Sequence, residues 1–360
     1  MKITFVVPAL NVTGGLRVIS IYARLLSEKG HSVTVVSPSE KKPTFKEVIK
    51  SFLKWKNYEF KSGFDDTFFK KANYDLKIVK NMPLTLEDIP DADIIIATFW
   101  NTAEWVATFP EKKGKKVYFI QGYEVHPWLP IERVEATFSL PFKIIVVAQW
   151  IADILKNKYY LDDVSIVGNG VDQEQFFSKP KLKNKMFTVG VMYADEHSSK
   201  GCDTSIYSVL KARESIAEIK LVSFATHYPV PSLPLPENSE FYFQPDQKNI
   251  KDIYSLCDVW LFGSRNEGFG LPILEAMACR TPVIGTRAGA APDLLKNGAG
   301  ILIDIDDVEA MSDAIVEIYN MTDGEWRALS DRAYNVACQH SWEIKVDEFV
   351  HELYRVNDGE

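Results

Sequence analysis

The chain has 360 residues, 46% of them hydrophobic and 25% charged, with a formal net charge of −8 at pH 7. That length exceeds one ordinary hydrophobic core and points to two globular domains. The acidic balance argues against a nucleic-acid partner, which needs a basic face to displace counterions. No apolar run approaches the ~20 residues of a membrane-spanning helix.

From the N-terminus, Lys2–Pro8 reads as a short apolar strand. Its apolar run is too short for a signal peptide, and it leads into Gly14-Gly15 rather than a cleavage site. Leu16–Lys29 carries helical spacing through Val18, Ile19, Tyr22, Leu25 and Leu26, Gly30 stops it, and His31–Ser37 is the next strand. This βαβ opening predicts a parallel sheet. Asp93–Thr98, Lys116–Gln121 and Lys143–Ala148 are further buried strands, with helices at Asn101–Phe109 and Gln149–Lys158.

A second βα series begins near Phe187. Strands are expected at Phe187–Met192, Ile219–Phe224, Asp258–Phe262, Pro282–Gly285 and within Ala299–Asp304. Helices are expected at Cys202–Arg213, Asn249–Cys257 and Pro272–Cys279, and a last one at Trp342–Tyr354. The stretch Ser178–Lys185 is short, basic and apolar-poor, as a linker is. It separates domains at 1–180 and 186–340, each the size of a doubly wound unit. Tyr228–Glu240, with four prolines, reads as a surface loop inside the second domain. Cys202, Cys257, Cys279 and Cys338 form no CxxC pair and no zinc pattern, which suits reduced thiols in a cytoplasmic protein.

The segment with most chemistry is Ser264-Arg265-Asn266-Glu267-Gly268-Phe269-Gly270-Leu271-Pro272-Ile273-Leu274-Glu275. It follows a strand, so it lies at the C-terminal edge of the sheet, where open α/β sheets bind ligands. Gly268 and Gly270 permit tight turns and close approach. Pro272 fits the first helical position, where its missing N–H costs nothing. The helix start then offers N–H groups and a positive dipole end to a phosphate. Glu275, placed in the first turn, suits a ribose diol, because a carboxylate accepts two hydrogen bonds. Glu267 lies ahead of the helix.

Glu267 and Glu275 are separated by seven residues, and here the chain resembles the family 4 glycosyltransferases with their E-x7-E signature. Other segments carry the resemblance too: Gly14-Gly15 as the glycine loop, Asn169-Gly170-Val171-Asp172 with Phe176, Lys200-Gly201-Cys202-Asp203 as K-G-x-D, and Ser341-Trp342-Glu343 opening the last helix. The resemblance implies the GT-B fold, two Rossmann-like doubly wound domains facing a cleft. In that fold residues 341–360 cross back onto the first domain.

It also implies a retaining transferase that moves a sugar from a nucleoside-diphosphate donor to an acceptor hydroxyl. The resemblance makes Glu267 and Lys200 the catalytic pair. Donor binding falls to Gly15, Lys200, Glu267, Gly268, Phe269, Gly270, Leu271 and Glu275. The partners implied are the nucleotide sugar and a glycan or lipid-linked acceptor, with polysaccharide or glycoconjugate synthesis as the setting. The diphosphate is handled by lysine and helix dipole, so no cofactor and no metal are expected. Asp91-Ala92-Asp93 opens a buried strand and makes a poor metal motif.

Two departures stand out. The family often has an arginine shortly before K-G-x-D; Gly190–Ser199 holds none, and Arg265 is the candidate replacement on the donor side. Many members have a histidine after a middle strand of the first domain. Here Gln121-Gly122-Tyr123-Glu124 takes its place, making Gln121, Tyr123 and Glu124 the acceptor-side candidates. Residues 44–61 form a basic amphipathic segment. Packing on its own domain is the ordinary reading, and peripheral contact with an anionic membrane is the other. Two rivals share the fold: a sugar-nucleotide epimerase and a non-catalytic nucleotide-sugar-binding protein. A dehydrogenase fits poorly, because Gly14-Gly15-Leu16-Arg17 is not G-x-G-x-x-G.

Overall fold

Short apolar runs alternate with amphipathic helices, and the central runs bury both their faces, as the middle of a parallel sheet requires. The computed structural model describes residues 1–10, 13–39, 68–69, 73–195 and 198–359. The basic segment 44–61 lies outside them. The chain divides into two units: Met1–Val146, Ala152–Ile166 and Val346–Glu360 form the first, Val147–Ile151 and Val167–Lys345 the second.

The first unit holds seven parallel strands among the described residues: β1 (Lys2–Val6), β2 (Ser32–Pro38), β3 (Asp75–Val79), β4 (Ile94–Ala97), β5 (Lys115–Ile120), β6 (Lys143–Val146) and β7 (Val164–Ile166). Their order is β3-β2-β1-β4-β5-β6-β7, so the chain reverses direction across the sheet between β1 and β4. Ile94, Ile95 and Ile96 are all fully buried, which a two-sided cover of helices demands. The helix Gly14–Glu28 packs Val18, Ile19, Tyr22 and Leu26 inward. Phe349 of the last helix sits with its ring 4.8 Å from those of both Tyr22 and Phe119, so the end of the chain completes this core.

The second unit holds six parallel strands among the described residues: β8 (Phe187–Met192), β9 (Ile219–Ala225), β10 (Ser239–Phe243), β11 (Val259–Phe262), β12 (Val283–Thr286) and β13 (Ile301–Ile303). The order is β10-β9-β8-β11-β12-β13. Val189, Leu221, Leu261, Ile284, Ile315 and Trp326 lie in its core. No described helix is long and apolar enough to cross a membrane.

The structure departs from expectation at the edges. Strands β3, β7 and β10 and the helix Ile131–Thr137 were not anticipated. These three strands lie at sheet edges, where burial is partial and the apolar signal weak. The proline-rich stretch runs straight into β10. The division between units falls at 166/167, ahead of the expected 180. Ser178–Lys185 is not a free linker but a clasp on the second unit. Lys181 donates to Ser255 O (2.7 Å) and Cys257 O (2.8 Å), and Asn184 Nδ2 to Leu256 O (2.8 Å). Lys183 reaches Tyr319 O (2.7 Å) and Met321 O. These carbonyls end two helices, where backbone acceptors lack intrahelical partners.

Candidate functional site

Strands β8 and β11 are neighbours in register, so the loops after them leave the sheet side by side. Two glycines let those loops touch. A Cβ on Gly201 (φ +55°) would lie 1.8 Å from Gly263 O, and one on Gly263 would lie 2.5 Å from Gly201 O. Arg265 N donates to Ser199 O (2.8 Å), stitching the loops further. The contact brings Lys200 Nζ to 2.6 Å from Glu267 Oε1, which also accepts from Ser264 Oγ (3.0 Å). The Lys200 side chain is 39% exposed and that of Glu267 14%.

The glutamate loop then turns into a helix. Gly270 adopts φ +100°, and a Cβ there would strike the Phe262 ring at 2.8 Å. The helix runs Leu271–Ala278, so Pro272 is its second residue rather than its first. Glu275 consequently lies one residue beyond the first turn. It is buried, and Tyr254 Oη donates to its Oε2 (3.0 Å). Two supports of this loop escaped the sequence. Ala290 N donates to Phe269 O (2.8 Å), with Gly289 pressed so close that a Cβ would lie 2.6 Å from Phe269 O. Trp150 Nε1 donates to Gly268 O (2.9 Å).

Arg265 is anchored between the two loops. Its guanidinium forks onto Asp203 (3.0 and 2.9 Å), and its Nε donates to Asp306 Oδ1 (2.7 Å). It also reaches Ser198 O (2.8 Å). Asp203 raises its pKa, so the charge is fixed. Two carboxylates balance that charge within the loop cluster, where Arg265 braces the two loops. The K-G-x-D aspartate is its main partner, a pairing that sequence spacing alone did not suggest.

In the first unit the Gln121–Glu124 segment comes directly after β5, and its side chains diverge. Gln121 lies beside the start of the helix Gly14–Glu28, its Cβ 3.8 Å from where a Gly15 Cβ would be. Tyr123 points away from it: its hydroxyl is 2.8 Å from Tyr159 Oη and accepts from Lys158 Nζ (3.1 Å). Lys158 and Tyr159 both donate to Glu135 Oε1 (2.7 and 2.8 Å). Glu124 is buried and accepts from Trp100 N (2.9 Å) at the start of the helix Trp100–Ala107. Burial pushes its carboxyl up to about 8, against the opposing pull of that N–H and of the Tyr118 hydroxyl. The ring of His126 stacks on Trp128 at 4.6 Å.

Asp91 pairs with Lys113 (2.8 Å), while Asp93 accepts from Lys2 N (2.6 Å) at the opposite end of the sheet from Gln121. Among the described residues no group of three His, Cys, Asp or Glu side chains is placed to hold a metal ion. Cys202, Cys257 and Cys279 are buried free thiols.

Two doubly wound parallel sheets, the second with glycine-built loops at its C-terminal edge, define a GT-B protein. A family model for Glycosyltransferase Family 4 matches residues 12–175, and one for Glycosyl transferases group 1 matches residues 226–336. The chain belongs to the family 4 glycosyltransferases. It is 37% identical over 110 residues to a D-inositol 3-phosphate glycosyltransferase of Corynebacterium urealyticum, covering 30% of this chain and 25% of that one. It is 26% identical over 191 residues to the O-antigen chain mannosyltransferase RfbU of Salmonella typhimurium, covering 50% of this chain and 52% of that one. The matched stretches thus span from a quarter to about half of those relatives. The Anabaena protein HepE, solved with UDP and glucose, shares the fold at TM-score 0.71 and 16% identity, covering 98% of this chain and 99% of that one.

Proposed function

We propose that this chain is a retaining glycosyltransferase, moving a sugar from a nucleoside-diphosphate donor to an acceptor hydroxyl in polysaccharide or glycoconjugate synthesis. The observation that carries the reading is the Lys200–Glu267 contact beside the Leu271–Ala278 helix, with Glu275 buried on that helix. In this reading Lys200 leaves Glu267 for the diphosphate. The backbone N–H groups of Phe269, Gly270 and Leu271 face the phosphates, and Glu275 takes the ribose. Negative charge grows on the leaving diphosphate as the glycosidic bond breaks, and a fixed cation with helix N–H donors favours that transition state. Glu267, released from Lys200, positions the donor sugar's hydroxyls. The leaving phosphate accepts the acceptor's proton on the same face, so no carboxylate need act as nucleophile. The acceptor is a glycan end, free or lipid-linked. The relatives support the class of reaction: RfbU is named for O-antigen chains, and HepE was solved with UDP and glucose.

The test is incubation with a panel of nucleotide sugars and glycan acceptors, with the product anomer read by NMR. Retention supports the mechanism; an inverted product overturns it. Lys200→Ala is expected to weaken nucleoside-diphosphate binding by about 2 kcal/mol, the scale of a hydrogen bond to a charged group, in calorimetry. Turnover of a sugar nucleotide with no acceptor present would favour an epimerase instead.

A further inference from the structure

Tyr254 lies on the short helix Ile250–Leu256 and is fully buried. Three aromatic rings pack against its own. Trp260 of β11 stands 4.5 Å away at 66°, Phe224 of β9 6.1 Å away at 88°, and Phe176 6.1 Å away at 64°. Edge-to-face contacts of this kind hold a ring by its apolar surface. A phenylalanine would make the same ring contacts, so the hydroxyl serves something other than packing.

That hydroxyl donates to Glu275 Oε2 (3.0 Å) on the helix Leu271–Ala278. The backbone of the same tyrosine holds the far end of that helix. Tyr254 O accepts from Thr281 Oγ1 (2.7 Å), just past the helix, and from Cys257 N (3.0 Å). One residue therefore grips both the carboxyl of Glu275 and the exit of the helix that carries it. Turning of the helix about its axis and turning of the carboxylate are both resisted.

A glutamate side chain has several rotatable bonds, and fixing them costs conformational entropy. Where the fold has already fixed them, a ligand meets a set geometry and binds more tightly for it. A vicinal diol makes that demand sharply, because two hydroxyls must be met at once. A buried carboxylate also calls for a donor whether or not a ligand comes. The two roles differ in what they predict for a ligand that lacks the diol.

We propose that Tyr254 is a positioning residue for the nucleotide: its hydroxyl sets the Glu275 carboxylate in the orientation that receives the ribose diol. The inference rests on the glycosyl-transfer reading, in which Glu275 takes the ribose, and adds to it a residue outside the Glu267–Glu275 segment. Tyr254 acts through Glu275 and not by touching the nucleotide. Its effect therefore falls on nucleotides that carry the diol and spares those that do not.

Calorimetry on the full chain tests it, first with uridine, guanosine, adenosine and cytidine diphosphates, then with the 2′,3′-dideoxy counterpart of each one that binds. Tyr254→Phe removes one oxygen and keeps the ring. It is expected to weaken the ribonucleotide about tenfold, the scale of a hydrogen bond to a charged group, and to leave the dideoxy form within about twofold of the parent. The dideoxy form doubles as the check on folding, since a damaged pocket would lose it too. Glu275→Gln is the control for the wider reading. No Glu275-dependent binding of any ribonucleotide sinks that reading and this inference with it. Glu275-dependent binding that Tyr254→Phe leaves unchanged, or weakens equally with and without the diol, overturns this inference alone.

Discussion

The loop cluster of the second unit and the sheet edge of the first handle their polar groups in opposite ways. In the cluster the charges are matched before any ligand arrives: Lys200 with Glu267, Arg265 with Asp203 and Asp306. At the first unit's edge Arg133 is likewise paired and Glu124 buried, but neutral side-chain atoms such as Trp100 Nε1 and Gln121 Nε2 have no hydrogen-bond partner among the described residues. A paired charge can exchange one anion for another with little loss, so under the proposed function Glu267 holds Lys200 ready for a diphosphate. A neutral orphan has no such stand-in. The contrast teaches that a charged cluster can be satisfied within the protein, whereas an unmatched neutral group remains as a local cost.

The largest expected effect breaks the cluster. Gly201→Ala places a methyl 1.8 Å from Gly263 O at φ +55°, and backbone, not a flexible side chain, stands in its way. A loss of about 4 kcal/mol or more in urea unfolding is expected, together with loss of nucleotide binding, because the two loops must part. Unchanged nucleotide affinity would show that the loops need not touch.

Next comes the buried acid. Folding raises the Glu124 carboxyl from 4.5 to about 8, so the native state keeps a proton that the unfolded chain releases. Its contribution is complete below pH 4.5, and stability falls as pH rises from there through about 8. Glu124→Gln, neutral at every pH, should flatten that fall and leave the variant more stable at pH 9, by an amount on the order of 3 kcal/mol. Parallel pH profiles of parent and variant in chemical denaturation would contradict it.

The smallest effect sharpens the boundary between units. Lys181→Ala removes two hydrogen bonds to the carbonyls of Ser255 and Cys257. A drop of about 1–2 kcal/mol in the stability of the second unit is expected by urea titration. No change would return Ser178–Lys185 to the role of a plain linker.

The central strands and both glutamates were legible because their signals are local. Asp258–Phe262 is a continuous apolar run, and glycines and a proline punctuate the loop and helix start beyond it. Partner choice is not local. Nothing in the spacing of Arg265 reveals that Asp203 and Asp306 will surround it, and its expected place on the donor side rested only on the want of another cation. Tyr123 and Glu124 join Gln121 in the sequence by adjacency alone. The turn after β5 sends the three in different directions, and only Gln121 keeps an unspent polar atom. Strand β10 was hidden by the prolines before it, and the lysines of Ser178–Lys185 read as solvated because their carbonyl partners lie some 75 to 140 residues away.

Phe349 closes the aromatic cluster begun by Tyr22 and Phe119. On the ribosome those two rings emerge long before it does. At about 5–20 residues per second, the face they share stays uncovered for roughly tens of seconds while the whole second unit is made. During that interval the nascent chain carries a sticky apolar face, so chaperone occupancy in living cells should peak after residue 120 and end only when the final helix emerges.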